Sequence, residues 1–120
     1  MKKYYGVQNN FGAPDFWGRY LSTVPNASDG LTKVELQYLR SKGIIVVPIF
    51  NNFKSSVGDQ AGNVAARNAI YNANRLGIRK GTVLFANVER FFEVDANWLI
   101  GWVETFYTSP IGRDFIMIRL

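Results

Sequence analysis

The chain has 120 residues, with 14 Lys and Arg against 9 Asp and Glu, and it contains no Cys and no His. That length can hold one domain with a real core, but it falls short of the ~250 residues of a complete eight-stranded (β/α) barrel. Without Cys or His there is no disulfide framework, thiolate chemistry, Ser-His-Asp triad or His-ligated zinc, so any catalysis rests on carboxylates, Lys, Tyr or Arg.

Hydrophobic residues make up 48% and aromatic residues 15% of the chain, the composition of a globular domain. The net charge is +5, yet no run of Lys and Arg exceeds two residues. A dense phosphate-binding patch is therefore not expected, and nucleic acid is not an expected partner. The charge serves solubility or attraction to an anionic wall polymer. No apolar run approaches the ~20 residues of a membrane span. The apolar stretch after Met1-Lys2-Lys3 is too short for a signal-peptide core, so the sequence as written reads as cytoplasmic.

The first expected strand is Asp15–Leu21, aromatic-rich and preceded by a Gly-Ala-Pro breaker. Next comes a capping box, Thr32-Lys33-Val34-Glu35, in which the Thr hydroxyl caps the Glu35 amide while Glu35 reaches back. Val34, Leu36 and Leu39 continue that helix, and Gly43 supplies its stop. Gly43–Phe50 is a nearly continuous β-branched run and the second strand. A second helix is expected from about Gln60 to Leu76, favoured by Ala61, Ala65, Ala66, Ala69 and Ala73 and ended by Gly77. The basic pair Arg79-Lys80 in the following turn is expected to cap that helix end.

Thr82–Val88 is the third strand. Asp95 is the expected N-cap of a third helix, which carries Trp98, Leu99, Trp102, Val103 and Phe106 at helical spacing and closes at Ser109-Pro110. Both tryptophans are expected in the core. Arg113–Arg119 is the last strand. Continuous apolar runs separated by helices suit parallel strands buried on both faces. The order β-α-β-α-β-α-β, with right-handed crossovers, gives a parallel sheet. No second domain, linker or repeat is visible. A buried strand at the chain's end lacks a neighbour to cover it, which suggests either a piece of a longer fold or self-association through open sheet edges.

In parallel α/β folds, sites gather at the carboxyl ends of the strands. Those ends here offer Arg19, Tyr20 and Ser22, then Asn51 and Asn52, then Asn87, Glu89 and Arg90. If the third strand persists, Asn87 and Glu89 share a face. A carboxylate beside apolar walls has its charged form disfavoured, which suits a general acid. Glu89 is thus the candidate catalytic group, with Asn87, Arg19, Tyr20, Asn51 and Asn52 as candidate substrate contacts. The plainer readings stand beside these: Glu89 paired with Arg90 or Arg19, Arg19 as a buried ion-pair partner or interior filler, Tyr20 as a core residue, and Asn51-Asn52 as a turn. No Gly-rich phosphate-binding motif is present, and neither a cofactor nor a metal is expected.

Phe16-Trp17-Gly18-Arg19-Tyr20-Leu21-Ser22, Leu31-Thr32 opening a helix, and Gly43-Ile44-Ile45-Val46-Val47-Pro48-Ile49-Phe50 together resemble a bacterial glycoside-hydrolase-like domain, formerly a domain of unknown function. Ala65-Ala66-Arg67-Asn68-Ala69, Leu76-Gly77-Ile78 and the run from Gly81 to Glu89 fit the same pattern. The resemblance spans about residues 10–108 and rests on the order and spacing of these segments. It implies a TIM-type (β/α) barrel related to the muramidase-type lysozymes that cut peptidoglycan. In those enzymes an Asp-x-Glu ends the fourth strand and the Glu donates the proton. Here the matching tripeptide is Asn87-Val88-Glu89, with an amide in the first position. The family's first strand ends in an Asp, for which Tyr5-Gly6-Val7-Gln8 is the only local echo.

The resemblance therefore implies a single domain over residues 1–120, a parallel-stranded partial TIM barrel incomplete at both ends. The expected partner is a polysaccharide such as cell-wall glycan. The expected function is glycan hydrolysis with Glu89 as general acid. The alternative is a non-catalytic glycan-binding or inactive truncated module, since a second carboxylate is not evident.

Overall fold

The computed structural model describes residues 15–26, 29–53, 56–87 and 95–119. Its frame is a four-stranded sheet of β1 (Phe16–Tyr20), β2 (Ile45–Phe50), β3 (Val83–Ala86) and β4 (Ile116–Arg119), in the spatial order β1-β2-β3-β4. All three pairings are parallel, with Phe16 opposite Ile45, Ile49 opposite Phe85 and Val83 opposite Ile116. The crossovers carry α1 (Lys33–Ser41), α2 (Asp59–Leu76) and α3 (Ala96–Thr108). Strands in simple sequential order wind steadily one way, and right-handed crossovers then put every helix on the same face. This is the mixed α/β parallel architecture that the alternating pattern predicts.

The core lies between that face and the helices. Phe50, Leu84 and Ala86 from the sheet are fully buried, and they share a cluster with Ala65, Ala66, Ala69 and Ala73 of α2 and Trp98, Trp102 and Phe106 of α3. The alanines recur about every turn along one face of α2, so the burial that drives this helix costs little side-chain entropy. The aromatic rings fill what remains. Trp98 and Trp102 stack at 5.5 Å, and Phe53 packs on Trp98 at 5.1 Å. The helices meet through glycine: a Cβ on Gly62 would collide with the Trp98 carbonyl, and one on Gly101 with the Asp59 carbonyl. A smaller cluster of Leu39 and Ile44, with Trp17, Tyr38 and Val46, seats α1 on the same face.

The helix ends follow the capping chemistry, with two additions. Thr32 Oγ1 accepts from the Glu35 amide at 3.1 Å. The return arm of the expected box is not formed, because the Glu35 carboxylate is drawn to Arg19 instead. Asp95 does more than cap α3: its carboxylate accepts from the Trp98 amide at 2.8 Å and from the Gly58 amide at 3.0 Å, so one side chain serves the N-termini of both α2 and α3. Gly77 ends α2 in the left-handed conformation (φ 75°), open to glycine at no steric cost. The guanidinium of Arg40, from α1, donates to the Gly77 carbonyl at 3.1 Å.

All four strands are shorter than the sequence suggests, β3 and β4 the most. β3 ends at Ala86, although the Asn87 amide still donates to the Phe50 carbonyl at 2.9 Å. β4 begins at Ile116 because Gly112–Asp114 form a 3₁₀ turn tied to Ser109, whose Oγ accepts from the Gly112 amide at 3.0 Å.

Candidate functional site

Parallel pairing levels the carboxyl ends of the strands into one rim. Tyr20 lies opposite Ile49, Ile49 opposite Phe85, and Phe50 opposite Ala86. The Leu21 amide donates to the Ile49 carbonyl at 2.8 Å, and the Leu31 amide to the Tyr20 carbonyl at 2.7 Å, so the chain leaving β1 is held against the rim. The Gly30 amide donates to Thr23 Oγ1 at 3.0 Å, and a Cβ at Gly30 would strike the backbone of Ser22 and Thr23. Gly30 is thus what lets the two strands of this loop touch.

Strand alternation sorts the candidate residues onto two faces. Tyr20, Ile49 and Phe85 lie on the face away from the helices, and Asn51 and Asn87 come just after the strands end. These two asparagines are neighbours across the β2–β3 pairing, next along from Phe50 and Ala86. Tyr20 and Asn51 are half-buried. Tyr20 ends β1, and Asn51 and Asn87 follow the last residues of β2 and β3, so the three stand at the same end of the sheet.

Arg19 goes the other way. Its guanidinium grips Glu35 of α1 through Nε–Oε2 at 2.5 Å and Nη2–Oε1 at 3.0 Å, and Nη1 donates to the Asp29 carbonyl at 3.1 Å. The hydrogen bond to Glu35 raises the guanidinium pKa above its ordinary value; burial opposes this, and the negative charges of Glu35 and Asp29 add to it. Arg19 is a permanent cation that fixes the opening of α1 to the end of β1. The sequence offered the ion-pair reading but not this partner, because the capping-box pattern had already assigned Glu35. For Arg40 the direction is reversed: burial, and then the positive charge of Arg79, lowers its pKa.

Asn52 faces a separate cleft of about 500 Å³ between the β2 end and the first half of α2, lined by Phe53, Gln60, Val64 and Asn68 among others. Amides alternating with apolar surface in a groove of this size can hold a polar ligand with an apolar face. Sequence reasoning missed Phe53, Gln60 and Asn68; the signal available was the aromatic directly after Asn51-Asn52 and the amide spacing along α2. Glu89 lies outside the described residues, as does Arg90. Trp98 and Trp102 are 1% exposed, core residues as expected. Among the described residues no cluster of three His, Cys, Asp or Glu could hold a metal ion, and no helix is long and apolar enough to cross a membrane.

A parallel α/β sheet wound in sequential order, with polar residues gathered where its strands end, defines an α/β protein of the kind that carries its site on the carboxyl rim. The sequence model of the Rv2525c-like, glycoside hydrolase-like domain matches residues 14–106, and the chain belongs to that family. Among solved structures it is similar to a 1.07 Å crystal structure of an uncharacterized B. stearothermophilus protein, with 47% identity and a TM-score of 0.90. That match covers 99% of this chain and 55% of the other, so the chain spans little more than half the length of its relative. No curated protein matches it.

Proposed function

We propose that this domain forms part of a (β/α) barrel that hydrolyses a cell-wall glycan of the peptidoglycan kind, with Glu89 as general acid. The observation that carries the reading is membership of a glycoside hydrolase-like family, in a chain whose sequence runs Asn87-Val88-Glu89 directly after β3. The Asn87 amide hydrogen-bonded to the Phe50 carbonyl ties the start of that tripeptide to the rim, next to Asn51. Sequential parallel strand order supports the barrel, since a barrel is a sheet wound this way until it closes.

In this reading Glu89 protonates the glycosidic oxygen as the bond to the anomeric carbon breaks. With an amide at position 87, the electron-poor anomeric carbon is met by the substrate's own acetamido oxygen, and water then opens the resulting ring and returns the proton to Glu89. Asn87 and Asn51 orient the sugar, Tyr20 offers a ring beside it, and Asn52 extends contact toward the outer cleft. Arg19 contributes indirectly, by holding α1 to the rim through Glu35.

The test is turnover of peptidoglycan and of chitin-like oligomers by the purified chain, wild type against Glu89→Gln. Loss of roughly 100-fold or more is expected for removal of a general acid. Equal rates overturn the assignment.

A further inference from the structure

The sheet has an end opposite the carboxyl rim, and charge divides between the two. Parallel pairing starts every strand at that opposite end, so the segments leading into β2, β3 and β4 all run there. Arg40 and Lys42 close α1 just before β2. Arg75 lies in the last turn of α2, Arg79 in the turn before β3, and Arg113 in the 3₁₀ turn before β4. Lys42, Arg75, Arg79 and Arg113 are exposed, and Arg40 is half-buried. Most described carboxylates stand the other way: Asp29, Glu35, Asp59 and Asp95 precede or open the helices at the rim, Glu104 lies within α3, and Asp15 precedes β1. The division does not hinge on the rest of the chain. Residues 1–14, 27–28 and 54–55 contain no Asp or Glu, and the described neighbours of 88–94, Asn87 and Asp95, are both tied at the rim, their amides donating to the Phe50 and Ser56 carbonyls.

The cations at this end are held by neutral groups. The Arg40 guanidinium, as noted, donates to the Gly77 carbonyl, which joins the ends of α1 and α2. Arg75 Nη2 donates to Asn72 Oδ1 at 3.1 Å, and the Lys42 ammonium stands 5.6 Å from the centre of the Tyr38 ring. Among the described residues the ion pair is Arg19 with Glu35, at the rim. One cation at each helix end answers the helix dipole. The ends of α1 and α2 bring four to one place, and their repulsion is visible: burial, and then the charge of Arg79, lowers the Arg40 pKa.

We propose that this end of the domain docks a flexible, base-free phosphodiester polymer, through cations gathered from three separate turns. Guanidinium groups match phosphate oxygens in paired hydrogen bonds. No run of Lys and Arg exceeds two residues, so the surface exists only once the strands are in register. Nucleic-acid bases need successive rings to stack on. Tyr38 is half-buried beneath Lys42, and Tyr71, one turn before Arg75, is a single exposed ring. The cations stand at helix ends and in turns, not along one side of an amphipathic helix, so a bilayer surface is not the partner they fit. The carboxylates of the rim disfavour the same polymer, so docking at the far end leaves the rim open to substrate. The inference goes beyond the hydrolase reading and requires nothing of Glu89.

The experiment is fluorescence anisotropy of labelled poly(glycerol phosphate) with the full chain across a NaCl series. The variants are Arg75→Gln combined with Arg79→Gln, Arg113→Gln alone, and Arg67→Gln. Arg67 is an exposed cation in the middle of α2, so its variant removes the same charge as Arg113→Gln at a different place. The wild type is expected to bind with an affinity that falls steeply as salt rises. The double variant should lose roughly tenfold in affinity and flatten the slope of log affinity against log salt by roughly 1 to 2, Arg113→Gln by about half as much, and Arg67→Gln not at all, all with wild-type circular dichroism. No binding by the wild type at low salt overturns the inference. A loss for Arg67→Gln equal to that for Arg113→Gln also overturns it, since net charge alone then accounts for the binding. Tighter binding of poly(dT) at equal phosphate concentration, weakened by Tyr71→Ala, overturns it in favour of a nucleic acid. Tighter binding to phosphatidylglycerol vesicles overturns it in favour of a membrane. Binding is read without glycan, so its failure leaves the hydrolase reading untouched, and loss of turnover in Glu89→Gln leaves this inference untouched.

Discussion

The two faces of the sheet are made of nearly the same residue types and have opposite fates. Leu84 and Ala86 on one side are at 0% exposure, whereas Val83 and Phe85, alternating with them in the same strand, are half-buried. Nothing in the strand itself distinguishes them. The difference lies in what the crossovers deliver: α1, α2 and α3 all land on one side, so among the described residues that side is covered and the other is not. A hydrophobic run in a parallel strand therefore reports that both faces are meant for burial, not which element covers each.

The largest effects that sharpen this contrast belong to the covered face. Trp102→Ala removes a ring that touches Phe50, Trp98 and Phe106, and should cost about 3–5 kcal/mol in chemical denaturation. Leu84→Ala should cost about 2–5 kcal/mol, and Val83→Ala at the neighbouring position much less. Equal losses at 83 and 84 would break the comparison. Gly101→Ala forces a methyl into the Asp59 carbonyl across the helix contact and should cost about 1–3 kcal/mol by the same measurement.

The rim comes next. Arg19→Met leaves Glu35 without its partner, and about 2 kcal/mol is expected, between the values for exposed and fully buried pairs. The raised guanidinium pKa sets the sign of the pH dependence. The Arg19 contribution is fully present below the ordinary guanidinium value and is lost only as pH climbs through the higher folded value. The Arg19→Met penalty should therefore not change from neutral to mildly alkaline pH, and a penalty that fades across that range would refute the assignment. A smaller effect is expected for Asp95→Ala, about 1–2 kcal/mol, with loss of the links to both Trp98 and Gly58. A loss no greater than that of Thr32→Ala, a cap serving one helix, would show that the second link contributes nothing.

Much of this architecture is legible in local chemistry. Asp95 and Thr32 mark two helix starts, Gly77 marks a stop, and the apolar runs mark the strands, because each signal acts within a few residues of itself. Errors arise where a residue has two local uses and a distant partner decides. Glu35 fits a capping box, yet its carboxylate goes to Arg19, sixteen positions earlier in the chain. Arg113 and Asp114 read as the start of a strand, yet Ser109 and Gly112 hold them in a turn. The candidate site divides in the same way. That polar residues follow each apolar run could be read directly, but their surroundings could not: register sets Asn51 and Asn87 just past the paired Phe50 and Ala86, Arg19 turns to Glu35 of α1, and Asn52 lines the outer cleft with Phe53.

The sequence by itself determined the element types, their order, the parallel α/β class and the family pattern, because periodicity, capping and turn residues are properties of short segments. Only the tertiary structure decided which face of each strand is covered, which polar residues share the rim and which charges pair. Those outcomes depend on register and on where each crossover lands, and both are set by packing between segments far apart in the chain.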